Sequence, residues 1–226
     1  NGYKTLYSNT YIPKEKLYNL PIGIASIDEI LSRPFITDEQ AKRVWGFEGK
    51  YVIVIGYNGS PAHNHIKVIK SLVFMKKQLP TNTILVCPMT YGGNPVYRKK
   101  IKRLLWNSQF ENQILENYLT AEELVCLRKA TDLFIHAQNT DANSGTIAEY
   151  LLCRKKIVNP TWITYPHYET YGSPFYSFSN FEELPQAIMK AINDTSNKVS
   201  PLLTGNISES GWSKLACKWV ELYKKY

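Results

Sequence analysis

Tyr51-Val-Ile-Val-Ile55 is an unbroken apolar run, and Ile66, Ile69, Leu72 and Val73 follow it at helical spacing. This pattern predicts a buried strand leading into a helix over 64–78. The alternation then repeats. Strand 83–87, a Pro/Gly-rich loop over 88–95 and helix 96–106 come next, then a short strand over 113–116. Helix 121–130 has Thr120 as a cap and Glu123 to complete a capping box. Strand 132–136, helix 145–152 and strand 156–158 continue the series, and helices over 181–192 and 212–226 close it. Before Tyr51 the pattern is weak. Leu20-Pro-Ile-Gly23 reads as a linker or an edge segment, and Asp38 is placed as the cap of a helix through Val44 and Trp45.

Strands separated by helices of this length predict an α/β fold, a Rossmann-like parallel sheet with helices on both faces. Residues 1–49 read as a linker and the remnant of an inter-domain region, and 50–226 as one domain. In such a sheet, ligands bind beyond the carboxyl ends of the strands. The three most unusual loops, 56–65, 88–95 and 138–146, each follow a strand directly, so they are expected on one edge.

Loop Gly56-Tyr-Asn-Gly-Ser-Pro-Ala-His-Asn-His65 joins strand to helix. Free N–H groups and the positive end of a helix dipole there suit a phosphate. Gly59 is expected to take a positive φ and admit a ligand to the backbone, while Ser60, Asn64 and His65 supply donors. Asn64 would equally serve as an ordinary N-cap. The second phosphate-competent turn is 139–146, where Ser144, Gly145 and Thr146 open a helix between Asp141 and Glu149. Glu149 can accept hydrogen bonds from both hydroxyls of a ribose. Either turn alone would also do as a plain strand-to-helix connection, with Asp141 and Ser144 as caps. His63 and His65 have no further ligands close by in sequence, so no metal is expected.

Composition narrows the partners. The chain has 226 residues, 44% hydrophobic, with 16 tyrosines and a formal charge of +8. The basic clusters, Arg98-Lys-Lys100 with Lys102 and Arg103, Arg154-Lys-Lys156, and Lys224-Lys225, read as solvated faces. The charge fits phosphorylated substrates or an anionic membrane surface. Without a recognised nucleic-acid motif, nucleic acid is not an expected partner. Cys87, Cys126, Cys153 and Cys217 lack metal-type spacing and read as reduced core residues of a cytoplasmic protein. The stripe Trp212, Leu215, Trp219, Val220 and Tyr223 is expected to pack on the domain or cross to another one, with a peripheral membrane contact as a weaker option. The first residue is Asn, which suggests a carboxy-terminal part of a larger protein.

Strand 132–136, its loop, the spacing Asp141-x7-Glu149, the helix and Lys156-Ile-Val158 together resemble the donor-binding domain of GT-B glycosyltransferases. That family commonly has a Glu-x7-Glu element, so Asp141 is a departure. Segment 119–132 also resembles what precedes that element. Within the group, Gly56–Ile66 and Val86-Cys-Pro-Met-Thr-Tyr-Gly-Gly-Asn94 are most similar to the 4-acetamido-4,6-dideoxygalactose transferase of enterobacterial common antigen synthesis. The resemblance covers about 51–192. It implies a deoxythymidine- or uridine-diphosphate sugar donor, a glycan or polyprenyl-linked acceptor, no cofactor and no metal, and a facing amino-terminal domain that this chain lacks. It puts the protein in the cytoplasm at the inner face of the membrane. It places Gly59, Ser60 and Asn64 near the diphosphate or sugar, Pro88, Met89 and Tyr91 near the base, Ser144, Gly145 and Thr146 on the pyrophosphate and Glu149 on the ribose. His65 becomes a contact to the donor. The Arg and Lys that many such enzymes set against the diphosphate have no clear equivalents, Arg98 being a distant candidate. A non-enzymatic nucleotide- or nucleic-acid-binding module and a GT-B-type sugar-nucleotide epimerase stay open as alternatives.

Overall fold

The computed structural model describes residues 20–141 and 144–225. The first nineteen residues of the expected inter-domain segment, the middle of the 139–146 turn and the last residue of the closing helix lie outside them.

The strands are β1 (Tyr51–Ile55), β2 (Thr83–Pro88), β3 (Glu111–Leu115), β4 (Leu133–Ile135), β5 (Lys156–Pro160) and β6 (Phe175–Phe178). They form a six-stranded sheet in the order β3-β2-β1-β4-β5-β6, and every pairing is parallel. The register sets Ile53 beside Leu85 on one side and Leu133 on the other. Because side chains alternate across a strand, β1 feeds two cores at once. Val52 and Val54 enter one cluster, and Ile53 and Ile55 the other.

The helices, in chain order, are α1 (Ala25–Leu31), α2 (Asp38–Trp45), α3 (His65–Phe74), α4 (Pro95–Asn107), α5 (Ala121–Ala130), α6 (Gly145–Leu152), α7 (Pro166–Glu169), α8 (Leu184–Asn193), α9 (Pro201–Ser208) and α10 (Trp212–Lys225). The Val52 face is covered by α1, α2, α5, α6 and α9 through Ile27, Ala41, Leu127, Ile147 and Leu203. The Ile53 face is covered by α3, α4 and α8 through Val68, Ile101 and Ile188. The expected layered α/β architecture is therefore the observed one.

Several local readings change. The cap of α2 is Thr37, which forms a capping box with Gln40, and Asp38 is the first helical residue. α1 lies where no periodicity was visible. It is seven residues long, and only Ile27 and Ile30 are buried, too few to mark a helical face by themselves. β6 and α9 were not foreseen either. Four residues of β6 carry three buried aromatics and a single exposed Ser177, which gives no measurable alternation. Residues 20–49 share the domain's core, with Ile27, Ala41 and Phe47 buried in it. Cys87 and Cys126 are buried as expected, whereas Cys217 is exposed on α10. α10 packs on α1, and Trp219 donates its indole N–H to the Pro21 carbonyl at 3.0 Å.

Candidate functional site

The strand order reverses between β1 and β4, so the chain leaves the sheet in opposite directions there and a crevice opens. The loops after β1 and β4 flank this crevice and are tied together. Asn139 N–H donates to the Ala62 carbonyl at 3.0 Å. The Asn64 amide donates to the Ala137 carbonyl at 2.8 Å and to Asn139 Oδ1 at 2.7 Å. Asn64 is therefore not a side-chain cap of α3. It sits in the left-handed region at φ 54° and staples two loops instead.

The second loop is fastened to the first. Gly59 N–H donates to the Tyr91 carbonyl at 2.7 Å. Gly59 does not have the positive φ expected of it; Gly56 does, at 64°. Gly59 is needed for close approach, since a Cβ there would lie 2.7 Å from the Gly92 carbonyl oxygen. Arg98 donates to that same oxygen at 2.7 Å, so it braces the loop. Ser60 caps the short 3-10 turn Pro61–His63 by accepting from Ala62 N–H.

Beside these loops is a cavity of about 240 Å³ lined by Tyr57 from the first loop, Pro88, Thr90 and Tyr91 from the second, Tyr118 after β3, and Arg128, Thr146 and Glu149. Four residues singled out in the sequence, Pro88, Tyr91, Thr146 and Glu149, meet there. Met89 does not: it is fully buried in the core, and its N–H donates to the Leu115 carbonyl at 2.7 Å. Gly59, Ser60, Asn64 and His65 shape the neighbouring loop without lining the cavity. Ser144 and Gly145 begin α6, and the Ser144 side chain makes no cap hydrogen bond.

Glu149 is buried and held from two sides. Ser26 Oγ on α1 donates to its Oε1, and Arg128 Nε donates to Oε2 at 2.7 Å. Arg128 lies over the Tyr150 ring at 4.6 Å and donates to its hydroxyl at 3.2 Å. Burial opposes the charge on this guanidinium, but Tyr150 and Glu149 outweigh burial and raise its pKa. Arg128 is the functional candidate that the sequence reading passed over. Its signal was a charged residue on the apolar side of α5, between the buried Leu127 and Ala130.

Asp141 accepts from the Tyr165 hydroxyl at 2.9 Å, and His136 Nε2 lies 3.3 Å from the same oxygen. His136 in turn meets Asn159 Oδ1 at 2.8 Å through Nδ1. Burial, then Asp141, pushes the Tyr165 hydroxyl far above its ordinary pKa, so it stays protonated and donating. Two further histidines are fully buried next to this chain. Burial lowers His63 to about 3, with His65 and His136 adding to the effect, and lowers His65 to about 4. Both are neutral at pH 7. His65 Nδ1 pairs with the Tyr97 hydroxyl at 3.2 Å, while neither ring nitrogen of His63 has a hydrogen-bond partner among the described residues. His65 is thus a core histidine at the start of α3.

Chemically, the site offers a helix N-terminus at α6, a buried carboxylate beside a guanidinium, and tyrosines at the mouth. Tyr91 and Tyr118 are near-parallel, 7° apart, with ring centroids separated by 6.2 Å. This set suits a ligand with an aromatic ring, a diol and negative charge. No protein-family model and no curated protein matches the sequence. Solved structures do. A glycosyltransferase from Rickettsia africae superposes with a TM-score of 0.74 at 17% identity, over 99% of this chain and 61% of that one. Anabaena HepE in complex with UDP and glucose gives 0.69 at 16% identity, again over 99% and 61%. The C-terminal domain of LpcC, a group 1 family glycosyl transferase from Francisella tularensis, gives 0.58 at 12% identity, over 81% of this chain and 93% of that domain. The chain spans less than two thirds of the first two proteins and resembles the third over nearly its whole length. At these identities the likeness is one of fold, and the fold is the Rossmann-like α/β arrangement of GT-B glycosyltransferases.

Proposed function

We propose that this chain is the donor-binding part of a glycosyltransferase, taking a sugar from a nucleoside-diphosphate sugar. One observation carries the reading: at the point where the strand order reverses, three strand-to-helix loops, the start of α6 and the Arg128–Glu149 pair all border the same crevice. A carboxylate has about four acceptor positions. Ser26 and Arg128 each donate to one oxygen of Glu149, which leaves capacity for the two hydroxyls of a ribose. Thr146 at the α6 terminus sets backbone N–H groups where a diphosphate gains charge as it departs. Tyr91 and Tyr118 supply flat apolar surface for the base.

Transfer itself requires an acceptor facing this site across a cleft. The motif resemblance in 56–66 and 86–94 favours a deoxythymidine- or uridine-diphosphate sugar and a polyprenyl-diphosphate-linked acceptor in cell-surface polysaccharide synthesis.

The test is a thermal-shift and calorimetry panel of UDP, dTDP, GDP and ADP on the wild type and on Glu149→Gln, each protein compared with its own ligand-free state. At a hundredfold excess over Kd, UDP or dTDP is expected to raise the wild-type Tm by roughly 5–10 °C. Glu149→Gln should bind at least about tenfold more weakly, one lost charged hydrogen-bond acceptor. A panel in which no diphosphate protects the wild type overturns the reading.

A further inference from the structure

The formal charge of +8 is not spread over the chain. Between Glu48 and Glu111 there is no acidic residue, and this stretch holds ten of the 27 lysines and arginines. The other 17 basic residues are outnumbered by 19 acidic ones, so the rest of the chain is slightly negative. Folding concentrates the stretch further, because it contains α3 and α4, which pack against each other on the same face of the sheet.

On α4 the exposed positions Val96, Lys99, Lys100, Arg103 and Trp106 recur at helical spacing and form one stripe. On α3, Lys67, Lys70 and Phe74 do the same. Both helices follow parallel strands, so they run in the same direction. Phe74 and Trp106 are the last and next-to-last residues of their helices and therefore lie toward the same end, away from the donor crevice. Phe74 is 82% exposed, Trp106 81% and Val96 78%. Among the described residues, Lys70, Lys77, Lys99, Lys100 and Arg103 have no carboxylate partner.

We propose that the outer face of α3 and α4 docks on the anionic headgroups of a lipid bilayer, with Trp106 and Phe74 entering the interface. The argument is charge complementarity joined to apolar anchors. Neither α3 nor α4 carries a carboxylate of its own. The acidic residues at the margins, Glu116 paired with Lys102 and Glu182 beside Lys67 and Lys70, are outnumbered by the basic ones, so the face meets lipid phosphates with little opposing charge to desolvate. Tryptophan and phenylalanine with basic neighbours suit the boundary between headgroups and acyl chains, where one part of the side chain is apolar and its surroundings are wet. A duplex would satisfy the lysines but would leave Phe74, Val96 and Trp106 in water; a single strand could stack bases on Trp106 and Phe74, and the oligonucleotide arm of the test separates that outcome. The proposal does not rest on the identity of the donor.

The test is co-sedimentation of the whole chain with extruded vesicles, phosphatidylcholine alone against phosphatidylcholine with phosphatidylglycerol, at low and high salt. At least about tenfold stronger binding to the phosphatidylglycerol vesicles is expected, collapsing near 1 M salt, where the Debye length is about 3 Å. The triple variant Lys99→Ser/Lys100→Ser/Arg103→Ser should lose that preference. A matched triple on α10, Lys214→Ser/Lys218→Ser/Lys224→Ser, removes the same charge elsewhere and should retain it. Trp106→Ser should weaken vesicle binding severalfold and abolish the part of the tryptophan quenching caused by brominated lipid at this face. All these side chains are exposed, so the variants should melt with the wild type. Equal binding to both vesicles, equal loss in the two triple variants, or tighter binding to a DNA or RNA oligonucleotide than to the phosphatidylglycerol vesicles at the same salt would each overturn the proposal.

Discussion

Glu149 and Arg128 are 21 positions apart, and each is buried with the other as its charge partner. Removing one partner strands the other in a dry environment, at a cost of about 3–5 kcal/mol, so this pair constrains the fold as well as the crevice. Glycine acts at the same scale. Gly93 has φ 68°, and a Cβ there would lie 2.1 Å from the Gly59 carbonyl oxygen. Gly93→Ala is therefore expected to lose roughly 1–3 kcal/mol in urea unfolding through a forced separation of the first two loops. Gly205 is the contrast: it lies inside α9, and nothing is within 4 Å of a Cβ built on it. Gly205→Ala should gain about 0.5–1 kcal/mol. Equal effects at the two positions would show that close backbone contact is not what holds the loops together.

At the scale of elements, the caps and apolar periods carry most of the local information. Thr120 and Glu123 form the capping box that the sequence pattern indicated, Thr120 N–H donating to Glu123 Oε2 at 2.7 Å. This box fixes the start of α5, the helix that delivers Arg128. Thr120→Ala should cost about 1 kcal/mol, a fall in Tm of about 2–4 °C for a chain of this size. β1, β2 and α6 were legible because their apolar runs are long or their helical period is clean. α1, β6 and α9 were not, because each is short and is held by tertiary burial more than by its own pattern. Asn64 shows the same limit in a single residue. Its position before a helix matched an N-cap, yet its amide spans to the third loop, 73 positions away.

For the whole molecule, the buried histidines set the response to acid. His63 and His65 have folded pKa values of about 3 and about 4, below the unfolded value near 6.5. The unfolded chain therefore binds more protons than the folded one between those limits, and stability rises with pH there. It is fully present above about pH 6.5 and is lost as the pH falls toward 4. For His65 alone the loss between pH 7 and 4 is about 3 kcal/mol. Melting curves from pH 7 to 4 should show a steep fall in Tm, and His65→Gln should flatten it whatever that variant costs at pH 7. A wild-type Tm independent of pH in this range would mean that these rings are not held neutral.

The sequence by itself determined the alternation of strands and helices from β1 to β5, the capping box that starts α5, the two-sided burial of the central strands and the candidate loops, because each of these is a matter of residues a few positions apart. The tertiary structure alone decided which loops become neighbours. The pairing of β1 with β2 seats Gly59 on Gly92, and the packing of α1 against α6 brings Ser26 to Glu149 across 123 positions. Pairing with β3 drew Met89 into the core, and the crossover from β3 to β4 carries α5 and its Arg128 back to the crevice. Side-chain period reports which face of an element is apolar. What that face meets depends on long-range packing, which no local pattern encodes.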